Sequence, residues 1–454
     1  MKILLVNPPI REWSRPNCFP LGLGYIASIL LQARHEVEIL DINAHRWSRE
    51  EVERRMAASA YNLIGIGGLV TIYGYIKWLI RISRKYHPDK KIMIGGSAGT
   101  SIPRTMLECN PVDIVCMGEG EKTIQELIPI LEDKDDLSGV PGIWFKMDDS
   151  IHVNLLRKPI QNLDEIPFPA WNLFPMDIYA NNPIGTPNKN KWINGIAPEN
   201  TPLSMNLSAS RGCPYQCIFC YHDFMGQRYR VRPVENIIKE IKLLHNQFNI
   251  TYFHFIDDEF CLKKMFIYEF CNKFGDLRKE LKVDITFGCS GRANLMTEKL
   301  IATMAEAGCT SIGYGLESGS QKMLDMMKKN VTIEQAEQTV RWTQKYLGWA
   351  DCSFIVGLPG ETKETVQETV NFCKRLNLKP EVIFFATPYP GTELYRIAVR
   401  DGKIPDEEQY VMNLGEQGEN ININFTDFTD LELKKIKEDM VLELGAWNQV
   451  RHPQ

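Results

Sequence analysis

Three cysteines, Cys213, Cys217 and Cys220, lie in the run Arg211-Gly212-Cys213-Pro214-Tyr215-Gln216-Cys217-Ile218-Phe219-Cys220. The spacing C-x-x-x-C-x-x-C puts three thiolates on one short loop. That is enough to hold three corners of a cubic iron-sulfur cluster and to leave one iron without a protein ligand. An open iron can bind a second molecule, whereas a structural zinc needs a fourth ligand, and His222 is close enough in sequence to supply one. The nine other cysteines, Cys18, Cys109, Cys116, Cys261, Cys271, Cys289, Cys309, Cys352 and Cys373, show no comparable spacing and read as small buried hydrophobes. Beyond the loop, charged residues follow apolar runs at Asp257-Asp258-Glu259, at Ser290 and Arg292, and at Glu317-Ser318. Carboxylates at strand ends complement an ammonium or form a solvated loop, and an arginine fork fits a carboxylate as a lysine does not. No side chain stands out as a general acid, base or nucleophile.

These residues need a scaffold, and the apolar rhythm supplies one. From 204 to 393 the runs 205–210, 251–257, 284–290, 311–317, 352–358 and 381–387 read as strands separated by helix-length segments. Six βα units suit a partial barrel, whose functional residues sit at the carboxyl ends of the strands. Residues 1–135 show the same alternation in shorter units. Strands at 3–6, 36–40, 63–67, 91–96 and 113–118 describe a doubly wound, Rossmann-like parallel sheet. Its strand ends carry Asn7-Pro8-Pro9, Gly67-Gly68, Gly95-Gly96 and Gly118-Glu119, where the backbone either admits a bulky ligand or makes tight turns. No G-x-G-x-x-G follows the first strand, which weakens a dinucleotide reading. Residues 136–203, rich in Asn and Pro, read as a connector, with 172–203 as a lid. Residues 394–454 form a small tail with a helix near 429–447 on the substrate side.

The chain has 454 residues, 44% hydrophobic and 24% charged, with a formal net charge of -5. That balance argues against a protein that grips nucleic acid by neutralising phosphates. No apolar run reaches membrane length, so a cytoplasmic protein with reduced thiols is expected.

The cysteine loop at the end of a first barrel strand resembles the signature of the radical S-adenosylmethionine (SAM) superfamily. PLGLGYIAS (20–28), IGG (94–96), MGEGE (117–121) and DEIPFPAW (164–171) resemble the cobalamin (B12)-binding domain and connector of its cobalamin-dependent branch. The resemblance implies that Cys213, Cys217 and Cys220 hold a 4Fe-4S cluster whose open iron is chelated by SAM. It further implies that Phe219, Asp257, Asp258, Glu259, Ser290, Arg292, Glu317, Ser318, Gly357 and Tyr389 line SAM. Asn7, Pro8, Gly67, Gly68, Thr71, Tyr73, Gly95, Gly96, Gly118 and Glu119 would line cobalamin. Many cobalamin domains carry D-x-H-x-x-G after the first strand, but the loop here, NPPIREWSRPNCF, has no His, and Asp41 with His45 follows the second strand at the wrong spacing. The resemblance therefore implies base-off cobalamin without histidine ligation, its lower face toward Leu69–Tyr73.

The activity implied is methylation of an unactivated carbon by an oxygen-sensitive enzyme. One SAM methylates cob(I)alamin, a second is cleaved to a 5'-deoxyadenosyl radical, and the substrate radical takes the methyl group. The two domains would face each other with substrate between them. The same architecture also implies cyclisation, oxidation or rearrangement as an alternative. A methylthiotransferase is disfavoured, because Cys18, Cys109 and Cys116 are not spaced for a second cluster, and a non-catalytic iron-sulfur or corrinoid carrier is the remaining reading. Expected partners are a small-molecule or peptide substrate and an electron donor such as flavodoxin or ferredoxin, with no nucleic acid, for a monomer.

Overall fold

A computed structural model describes residues 1–11, 16, 18–58, 60–133, 136–181, 201–415, 418 and 420–446. The chain forms two compact units, one drawn from Met1–Pro183, Tyr221–Arg232 and Ile404–Glu416, the other from Ile184–Cys220, Pro233–Lys403 and Gln417–Gln454. None of the described helices is long and apolar enough to cross a membrane.

In the first unit, β1 (Lys2–Asn7), β2 (Glu36–Asp41), β3 (Leu63–Ile66), β4 (Lys91–Ile94) and β5 (Ile114–Cys116) run parallel in the order β2-β1-β3-β4-β5. Every residue of β3 and β5 is buried, as expected of strands covered on both faces, whereas the edge strand β2 begins with alternating exposure. The order reverses between β1 and β3. In open parallel sheets a ligand crevice lies at that switch point, outside the carboxyl ends of the strands.

Two further strands, β6 (Ile143–Met147) and β7 (Ser150–Val153), extend this sheet antiparallel beyond β5. The connector expected over 136–203 is corrected here, because residues 143–153 form a hairpin of the first sheet. Asp148 and Asp149 have φ of 48° and 59°, so they make the two-residue turn that suits hairpin twist, and Ile143 and Phe145 join the sheet's apolar core. The motif 164–171 packs on the helix Leu21–Gln32: Ser28 Oγ donates to the Phe168 carbonyl at 2.5 Å, and Phe19 and Trp171 rings lie 4.4 Å apart. A Cβ at Gly24 would stand 2.8 Å from the Pro169 side chain, so this contact requires glycine. Part of the tail also belongs to this unit: Tyr73 Oη donates to Glu408 at 2.8 Å, and Thr105 bonds Glu407. The stretch 182–200, most of the expected lid, lies outside the described residues.

The second unit holds six parallel strands, β8 (Ser204–Leu207), β9 (Tyr252–Phe255), β10 (Thr286–Gly291), β11 (Cys309–Glu317), β12 (Asp351–Val356) and β13 (Val382–Phe385), paired in chain order. Sequential parallel pairing with a helix between strands is the construction of a partial βα barrel. Phe255, Phe260, Phe270, Phe274 and Phe287 pack edge-to-face and stacked under β9 and β10, with Phe255 and Phe260 centroids 4.6 Å apart and Phe270 and Phe287 5.2 Å apart. This aromatic core fixes the two strands whose ends carry Asp257–Glu259 and Ser290–Arg292.

Candidate functional site

The cysteine loop leaves β8 and is tied down before its first cysteine. Asp257, just past β9, accepts from the backbone of Ala209 at 3.0 Å, from Ser210 N–H, and from Ser210 Oγ at 2.6 Å. Burial pushes its carboxyl up to about 6, against these hydrogen bonds. Asp258 accepts from Gly212 N–H at 3.2 Å, where φ of 81° suits glycine. Glu259 turns to Cys261 N–H at 3.0 Å, and burial raises it to about 7 despite that bond and the Arg292 and Lys329 charges. Asp257 and Asp258, expected beside SAM, thus brace the loop in this structure.

Within the loop Cys213 is half-buried, Cys217 buried and Cys220 exposed. Ile218 pins the middle: its N–H donates to Met327 O at 3.1 Å, its carbonyl accepts from Leu394 N–H at 2.8 Å, and its side chain packs with Met323, Leu324, Leu358 and Leu394. Phe219 and Phe425 pack against the same cluster. Among the described residues, no three His, Cys, Asp or Glu side chains gather as they would on one metal ion.

Two buried cations serve this region. Arg292, the first residue after β10, sets Nη1 3.5 Å from Cys217 Sγ and its guanidinium 3.7 Å from the Tyr215 ring centre, while Nε and Nη2 have no partner. Unpartnered buried donors beside three cysteines fit an anionic group. Lys329 donates to Glu317 Oε1 at 2.9 Å and lies 5.7 Å from the Phe219 ring centre. Glu317 ends β11 with φ of 67°, a left-handed conformation that costs a non-glycine residue about 1–3 kcal/mol and concentrates at functional sites. Gly315 makes room for it, since a Cβ there would lie 2.2 Å from Glu317 Oε1. Sequence reasoning missed Lys329, whose only signal was a basic pair after the helix Gln321–Met326.

The other expected SAM residues divide. Ser290 is exposed at the end of β10. Ser318 is turned inward, its hydroxyl 3.1 Å from Thr369 Oγ1 and accepting from Ser320 N–H. Gly357, with φ of 91°, gives its N–H to Glu361, whose carboxyl burial raises to about 7. Leu433 of the tail helix Asp430–Leu444 would lie 3.1 Å from a Cβ at Gly357, so the tail reaches this loop without any motif to announce it. Tyr389 is half-buried, its phenol pushed up to about 12 by burial.

At the carboxyl ends of the first sheet, a Cβ at Gly95 would meet nothing within 4 Å, and one at Gly67 only a Leu23 methyl at 3.4 Å, so both leave backbone open to a large ligand. Gly68 and Gly96 instead pack on each other: a Cβ at Gly96 would be 2.7 Å from Gly68 O. Gly118, with φ of 69°, donates to Thr100 Oγ1 at 2.9 Å. Four of the residues expected at cobalamin are engaged inside the unit. Asn7 donates to Asp41 at 2.8 Å, Pro8 is buried, Tyr73 is buried between Glu408 and Asn110, and Glu119 pairs with Arg230 at 2.7 Å. Thr71 is half-buried in the short turn after β3. His45 is exposed, ends the helix Ile42–His45 and stacks on Trp47 at 4.4 Å.

Residues 207–373 match the radical SAM superfamily and residues 13–128 match the B12 binding domain. An uncharacterized methyltransferase of Pyrococcus horikoshii is 32% identical over 88% of this chain and 83% of its own. An anaerobic magnesium-protoporphyrin IX monomethyl ester cyclase of Rubrivivax gelatinosus is 26% identical over 90% of this chain and 72% of its own. Among solved structures, the radical SAM methyltransferase TsrM of Kitasatospora setae, with cobalamin and a [4Fe-4S] cluster bound, shares the fold with a TM-score of 0.71 at 20% identity, over 89% of this chain and 76% of that one. The chain belongs to the cobalamin-dependent radical SAM enzymes, and its cofactors are a 4Fe-4S cluster, SAM and cobalamin.

Proposed function

We propose that this enzyme transfers a methyl group from SAM, by way of cobalamin, to an unactivated carbon. The observation that supports it is the Pyrococcus relative, named a methyltransferase and alike over 88% of this chain. When bound, the cluster supplies the electron that splits SAM into methionine and an adenosyl radical, and cobalamin carries the methyl group. The second unit holds the cluster on Cys213, Cys217 and Cys220, and the first holds the corrinoid at the open backbone of Gly67 and Gly95. The unpartnered Nε and Nη2 of Arg292 receive the SAM carboxylate as paired donors. Glu317, oriented by Lys329, receives the SAM ammonium, and Gly357, flanked by Leu433, lets the adenine approach backbone. Asp257 and Asp258 keep the loop in the shape that presents the cysteines. His45, exposed at the end of the helix Ile42–His45 and stacked on Trp47, would take no part in holding the corrinoid. The enzyme works as a cytoplasmic monomer with a flavodoxin or ferredoxin as reductant.

The test is product mass. Anaerobic turnover with the substrate should add one CH2 per event, and loss of hydrogen at unchanged carbon count would contradict methylation. That second outcome is the cyclase reading, which the Rubrivivax relative favours.

A further inference from the structure

We propose that Arg292 sets the reduction potential of the cluster by donating from Nη1 to the Cys217 sulfur, with the Tyr215 ring holding it in place; the inference rests on the cluster reading above. Arg292 directly follows the third strand of the barrel, yet its guanidinium lies against the cysteine loop that follows the first. Its Nη1 stands 3.5 Å from Cys217 Sγ, and its guanidinium carbon lies 3.7 Å from the Tyr215 ring centre. The Tyr215 hydroxyl also accepts at 3.5 Å from Nδ2 of Asn294, two residues after Arg292. Asn294 in turn bonds Asn330 O at 3.1 Å, so the stack is part of a connected set.

The residue is 7% exposed and makes no carboxylate ion pair among the described residues, although Glu259 lies close enough to feel its charge. A buried cation is costly unless an anion faces it, and the group it faces at bonding distance is a cluster ligand. Iron-sulfur potentials follow net charge, hydrogen bonds to sulfur and solvent exposure. Accepting an electron makes the cluster more negative. A fixed positive charge and an N–H···S bond both favour that state, so Arg292 raises the potential and eases the reduction that SAM cleavage requires. Lysine would keep the charge and lose the guanidinium's rigid fork over the Tyr215 ring, which aims it.

The test uses the full chain reconstituted with iron and sulfide, without SAM, in a redox titration followed by the electron paramagnetic resonance of the reduced cluster. Arg292→Met should show a more negative midpoint than the parent at equal iron content, and Arg292→Lys should return it part of the way. An Arg292→Met midpoint equal to or above the parent's overturns the inference. Should Arg292→Met take up no iron, Arg292→Gln against Arg292→Lys decides: a more negative neutral variant supports the role, and equal midpoints overturn it. A parent that takes up no cluster overturns the cluster reading and this inference with it, whereas a loaded parent with unmoved variants overturns this inference alone.

Discussion

Replacing Glu119 with alanine tests whether this residue is a structural ion-pair partner, as its surroundings indicate, or a contact for the corrinoid. Both Glu119 oxygens accept from Arg230 Nη1, at 2.9 and 2.7 Å, and one also accepts from Ile160 N–H at 2.8 Å; the two side chains are 4% and 3% exposed. Glu119→Ala leaves Arg230 with the carbonyls of Arg228, Ile160 and Met225 and removes the acceptor from Ile160 N–H. Breaking a buried pair from one side costs about 3–5 kcal/mol. At a urea slope of about 2 kcal/mol per M the unfolding midpoint should fall by about 1.5–2.5 M. Urea unfolding of the apoprotein, followed by far-UV circular dichroism, measures this directly. The double variant Glu119→Met with Arg230→Met should recover most of the loss, because matched apolar groups leave no uncompensated charge. A single-variant loss below about 1 kcal/mol, or a double variant no better than either single one, would refute the structural role. At low temperature the folded Glu119→Ala protein should still bind corrinoid.

Glu361 makes stability pH-dependent. Its folded value, near 7, lies above the ordinary 4.5, so between those values the unfolded chain binds fewer protons and stability falls as pH rises, by about 3 kcal/mol in total. Glu361→Gln should reduce that fall in denaturation series from pH 4.5 to 7.5, leaving the same-signed contributions of Glu259 and Asp257; an unchanged slope would count against the burial argument. Gly315→Ala should displace the Glu317 carboxylate and weaken equilibrium binding of SAM to the reconstituted protein by tenfold or more, on the order of 1.4 kcal/mol, without altering iron content. Parent-like affinity would remove Glu317 from the SAM site. Cys217→Ala should abolish 5'-deoxyadenosine formation while corrinoid uptake stays near that of the parent, and joint loss would contradict the division of cofactors between the units.

The apolar rhythm was legible because parallel strands buried on both faces write themselves as continuous hydrophobic runs, and all eleven expected strands are present. The hairpin 143–153 was not, since Asp148-Asp149 lacks the glycine that marks a tight turn, and the alternation IWFKM was short and followed by charge. The cysteines announced themselves by covalent spacing alone. What spacing does not encode is which charged side chain is engaged elsewhere. Asp257 and Glu119 sit just past strand ends and Tyr73 opens the helix after β3, yet their partners, Ser210, Arg230 and Glu408, come from distant segments. Lys329 went unread for the same reason, because only the fold brings it to Glu317.

On the proposed function, cluster chemistry and corrinoid methyl transfer belong to one enzyme. Anaerobic incubation of the reconstituted protein with a reductant and SAM carrying a trideuterated methyl group tests both halves at once, by mass spectrometry of nucleoside and corrinoid. The expected products are 5'-deoxyadenosine together with the deuterated methyl group on the corrinoid. Deoxyadenosine with an unlabelled corrinoid would contradict methyl transfer, and neither product would contradict the enzyme altogether.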